Sequence, residues 1–74
     1  MGVFRYRVSA IEDGDVKTRE YAVNWDSEIE AKEQIRRYLI SEGIEYLAIK
    51  LSPQRHISAA LASLGFGEVR LVTV

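Results

Sequence analysis

"LSPQRHISAALASLGFGEVRL" (Leu51–Leu71) holds the chain's only proline, its only histidine and a Gly-Phe-Gly. How it is read decides the architecture. Ser52 suits a helix N-cap and Pro53 the first helical position, where its missing N–H costs nothing. Ile57, Ala60, Leu61 and Leu64 recur at helical spacing and predict a buried stripe. Gly65 then suits the left-handed stop, with Phe66 packing back on the last turn. "FGEVRLVTV" follows as a strand. Gly65-Phe66-Gly67 is no dinucleotide fingerprint, because that motif needs a strand before the glycines and a helix after them. Here a helix enters and a strand leaves.

Upstream, "VFRYRVSAI" alternates, with Phe4, Tyr6, Val8 and Ala10 on one face and Arg5, Arg7 and Ser9 on the other. Asp13-Gly14 suits a two-residue type I′ turn, and "VKTREYAVNW" returns as the second strand. That turn sets a register: Tyr6 opposite Tyr21, Phe4 opposite Val23, Arg7 opposite Glu20, Ser9 opposite Thr18. Glu12 opposite Asp15 is the one mismatched pair. "DSEIEAKEQIRRYLISEG" is a helix, opened by a Ser27–Glu30 capping box and closed by Gly43. Ala31, Ile35, Tyr38 and Leu39 form its apolar stripe. "IEYLAIKL" is apolar on both faces and predicts a central strand.

The expected fold is an α/β (α+β) two-layer sandwich in ββαβαβ order. A mixed four-stranded sheet carries two helices on one face. Phe4, Tyr6, Val8, Tyr21, Val23, Leu47, Ile49, Leu51, Val69 and Leu71 are expected to point at the helices.

Seventy-four residues make one small domain, residues 1–74, burying roughly 60–65% of the surface its unfolded chain exposes. There is no cysteine, so neither a disulfide nor a thiolate metal site, and one histidine cannot build a multi-histidine site. No metal and no cofactor is expected. The apolar runs are too short to span a membrane, and a cytoplasmic location is expected. A net charge of −1 offers nucleic acid no general attraction. No acid pair lies in an apolar stretch and no catalytic motif is present, so an enzyme is not expected.

Three surfaces remain as candidates. Ile29 and Ile40 align on the far side of the first helix, three turns apart. With Val72 and Val74 on a terminal strand, they form a candidate protein interface, suited to a homodimer. The open sheet face carries Arg5, Arg7, Tyr46, Lys50 and Arg70, a pattern that resembles RNA-binding sheets and forms a candidate RNA or single-stranded DNA face. Ser52, Arg55 and His56 at the second helix's start form a candidate anion site. The leading expectation is a non-catalytic protein-interaction or adaptor domain that self-associates; nucleic-acid binding is the alternative.

"FRYRV", the glycine turn, "SEIEAKEQIRRYL" and "EGIEYLAI" resemble the N-terminal segment of type II secretion and type IV pilus platform proteins. The same rhythm is similar to small archaeal ribosomal proteins of the LX type, which are basic where this chain is not. Residues 52 to 74 match neither family, and no functional residue is carried over.

Overall fold

The computed structural model describes residues 2–53 and 59–72. β1 (Gly2–Glu12) and β2 (Asp15–Trp25) form a long hairpin. Asp13 and Gly14 take φ of 51° and 82°, as a type I′ turn needs. The register is the one the turn predicts, including Tyr6 opposite Tyr21, Phe4 opposite Val23 and Arg7 opposite Glu20. Ser9 Oγ and Thr18 Oγ1 meet at 3.4 Å. The Glu12–Asp15 mismatch is offset from the side, because Arg19 donates to both Glu12 oxygens at 3.0 and 2.9 Å. That bonding holds the Glu12 carboxyl below the usual range.

α1 (Glu28–Ser41) begins where Ser27 Oγ accepts the Glu30 N–H at 3.2 Å. Glu30's own carboxylate reaches Trp25, accepting its indole N–H at 2.7 Å. Gly43 (φ 71°) turns the chain so that the Ile44 N–H returns to the Leu39 carbonyl at 2.9 Å. Ala31, Ile35 and Leu39 are fully buried against Tyr6, Val8, Tyr21 and Val23. Tyr38 tilts onto Tyr21 with ring centroids 5.8 Å apart. The Tyr6 hydroxyl donates to the Glu28 carbonyl at 2.8 Å, and burial pushes its pKa up to about 12.

β3 (Tyr46–Leu51) and β4 (Val69–Val72) complete the sheet in the order β3-β1-β2-β4. Every pairing is antiparallel. The expected mixed sheet in ββαβαβ order is therefore wrong. α1 carries the chain from β2 over β1 to the far edge, so the strands it joins run the same way with β1 between them. β3 is an edge strand, not a central one.

The expected second helix fails as well. Of the described residues in that stretch, only α2 (Ala59–Ala62) is helical, a single turn. This leaves a small, sheet-dominated α+β fold with one full helix. Nor does the segment lie beside α1. Leu61 and Leu64 pack with Ala22, Val72 and Val3 on the opposite side of the sheet, making a second core. The expectation that the chain covers only one face is overturned. An apolar stripe satisfies either face of a sheet that offers Val3, Ala22 and Val72 on its other side, so periodicity alone does not choose between them.

The Gly-Phe-Gly is structural, though not as expected. The left-handed φ falls on Gly67 (76°), not on Gly65. Phe66 stacks on Trp25 at 4.6 Å, and the Gly67 N–H donates to the Asn24 carbonyl at 2.7 Å. A Cβ on Gly67 would lie 2.6 Å from Trp25 Cζ3. Gly67→Ala is therefore expected to cost about 1–3 kcal/mol, as a left-handed non-glycine residue that also dislodges a ring. Denaturant unfolding followed by fluorescence of the sole tryptophan measures both effects. Wild-type stability and emission in this variant would refute the close-approach role.

Candidate protein-interaction surface

The candidate nucleic-acid face is largely paired off within the chain. Arg5 bonds Glu20, and the two side chains are only 13% and 12% exposed. Arg7 lies 3.5 Å from the same carboxylate. Arg70 pairs with Glu68 and donates to Ser63 Oγ at 3.2 Å. Lys50 is exposed. Tyr46, the only aromatic assigned to this face, lies on the other one, packed against the α1 core. The cause is a bulge: Ser9 opposes Ala48 but Ala10 opposes Tyr46, so Leu47 is an extra residue. One extra residue reverses the side-chain alternation beyond it.

Of the candidate anion site, only Ser52 lies among the described residues. Ser52 is buried, its N–H donates to the Arg5 carbonyl at 2.8 Å, and its hydroxyl has no partner among the described residues. The residues that would donate the expected capping bond lie outside the described ones. Arg55 and His56 lie outside the described residues.

The candidate protein interface divides. Ile29 and Ile40 are exposed on α1, Ile29 by 84%. Val72 is buried in the second core rather than offered to a partner. Val74 lies outside the described residues.

The surface that sequence reading missed is on β3. Leu47 and Leu51, expected in the core, are 56% and 47% exposed. The reason is width. A helix is about 10 Å across, whereas four strands spaced about 4.8 Å apart span more than that. With a single full helix on this face, α1 covers the central strands and leaves the inward side chains of the edges open; Leu71 on β4 is exposed for the same reason. The signal was present in "YLAIKL" followed by Pro53: a short, apolar strand with a proline at its end suits an edge as well as a centre.

Between α1 and β3 runs a groove of about 610 Å³. Tyr46, Leu47, Ala48 and Ile49 line it from the strand, and Glu28, Ile29, Lys32, Glu33 and Arg36 from the helix. Arg36 Nε donates to Glu33 at 2.9 Å. That hydrogen bond holds the Glu33 carboxyl below its usual range and raises the already high pKa of the guanidinium. The helix wall is thus a charged rim beside an apolar strand edge, the layout of a protein-binding patch.

No family model, curated protein or solved structure matches the chain, so the likenesses to platform proteins and LX-type ribosomal proteins gain no support. No helix among the described residues is long and apolar enough to cross a membrane.

Proposed function

We propose that the chain is a non-catalytic protein-interaction domain that takes its partner along the β3 edge and the adjoining groove. The observation that carries this reading is the run of exposed apolar side chains, Ile29, Leu47 and Leu51, beside a strand edge that no other described strand pairs. An edge strand offers a row of backbone donors and acceptors, which an extended segment of another protein can complete. Soluble chains usually blunt such edges with charge, whereas β3 carries one lysine among six residues.

A photo-crosslinking benzoylphenylalanine at position 47 tests the proposal in the cells that make the protein. The same probe at position 17, on the exposed hairpin end, is the control. A discrete adduct from position 47 alone is expected. No adduct, or identical adducts from both positions, overturns the reading.

A further inference from the structure

We infer that the segment taken by the β3 edge is an extended run of apolar, acidic and apolar residues, its acid facing Lys50. This rests on the interaction reading above and names the chemistry of the partner. The Ser52 N–H donates to the Arg5 carbonyl, which fixes the hydrogen-bonding phase between β3 and β1. In an antiparallel ladder that phase alternates, so Ala48 and Lys50 bond inward to β1. The N–H and C=O groups of Ile49 and Leu51 then point out of the edge. Pairing ends beyond Leu51, because Pro53 has no N–H to offer. At the other end the bulge at Leu47 breaks the register. The edge therefore reads the three places opposite Ile49, Lys50 and Leu51.

Rows of side chains across the sheet set what each place requires. On the face away from α1, Val72, Glu20, Arg7 and Lys50 lie side by side on the four strands. Arg7 shares Glu20 with Arg5, and none of the described acids pairs with Lys50. Lys50 is exposed and stands directly opposite another cation, which is a destabilising arrangement. A carboxylate in the open place beside Lys50 relieves that repulsion. In an antiparallel addition this place is a non-hydrogen-bonded one, where facing Cα atoms lie only about 4.5 Å apart and side chains meet most closely.

On the α1 face the neighbouring row is Leu71, Tyr21, Tyr6 and Leu51, with no charge in it. Its open end is the exposed Leu51, which an apolar residue opposite would cover. An apolar residue opposite Ile49 enters the groove beside Ile29. Main-chain bonds to the edge supply affinity in such an addition, and the alternating side chains supply specificity. β3 itself carries a lysine and no acid, so a copy of this strand does not meet the requirement.

Two labelled peptides, identical except for a Val-Glu-Val or a Val-Lys-Val core, test this by fluorescence anisotropy against the intact chain. The glutamate peptide is expected to bind tighter by about threefold or more, with the preference shrinking in high salt. Lys50→Glu is expected to reverse the preference. It also sets an acid opposite Arg7, so the variant should be as stable as the unmodified chain. If it does not fold, Lys50→Gln is expected to abolish the preference instead. In nitrogen-15 spectra the Ile49 and Leu51 amides should shift most when the glutamate peptide is added. Equal affinity for both peptides, a preference that ignores position 50, or shifts confined to other strands overturns the inference. So does a chain that sediments as a dimer with its β3 amides already protected from exchange. If neither peptide binds at millimolar concentration while the position-47 adduct forms, this inference fails and the interaction reading stands. With no adduct either, both fail.

Discussion

Ile35→Ala is expected to lower the unfolding free energy by about 2–5 kcal/mol. Ile35 has no exposed surface and sits where α1 presses on the hairpin, among Tyr6, Val8, Tyr21 and Val23. Truncation loses the transfer free energy of the removed carbons and leaves a void that a rigid sheet closes only in part. A domain of this size holds a net stability of only about 4–11 kcal/mol, so the variant should be substantially less folded. Ile40→Ala, on the exposed flank of the same helix, is the control and should stay within about 0.5 kcal/mol of wild type. Urea midpoints measured by circular dichroism separate the two. An Ile35→Ala loss below 1 kcal/mol would mean that this core is not the main support of the fold.

Glu20→Ala is expected to cost about 3–5 kcal/mol. Glu20 sits between Arg5 and Arg7, and the Arg5–Glu20 pair is mostly withdrawn from water. Removing the carboxylate leaves the Arg5 guanidinium enclosed without its counter-charge, and Arg5 Nε already lacks a partner among the described residues. The penalty comes from that stranded charge more than from the lost attraction, so the double variant Arg5→Leu with Glu20→Leu should recover most of the loss. A double-mutant cycle in urea measures the coupling. If Glu20→Ala alone costs no more than a surface ion pair, about 0–1 kcal/mol, this face is wetter than its geometry indicates.

Local chemistry made the hairpin and α1 legible. Asp13-Gly14 permits one kind of turn, and a two-residue turn leaves one register, so each cross-strand pair followed from it. Ser27, the Ala31–Ile35–Leu39 stripe and Gly43 likewise mark a helix within a few residues of its ends. What escaped was everything that depends on distant segments. Leu51 lies opposite Tyr6 on the α1 face yet stays open, as Leu47 does, and alternation does not distinguish an uncovered edge from a buried centre. The bulge at Leu47 moved Tyr46 to the opposite face, and no turn residue announces it. The stripe through Leu61 and Leu64 was recognisable as buried, but which layer it joins depends on Val3, Ala22 and Val72, three positions scattered along the chain. The candidate site was half legible for the same reason: Ile29 stood out as surplus on a known helix, whereas Leu47 and Leu51 looked like core.

The placement of β1 and β2 at the centre of the sheet bears on how the chain reaches its native state. The two middle strands are also consecutive, joined by a two-residue turn, so a ribbon can form before any long loop has to close. β3 and β4 then add to opposite sides of that ribbon, independently of one another. Assembly can proceed outward from a local seed, and the entropic penalty of distant contacts falls on the flanks, after the nucleus is in place.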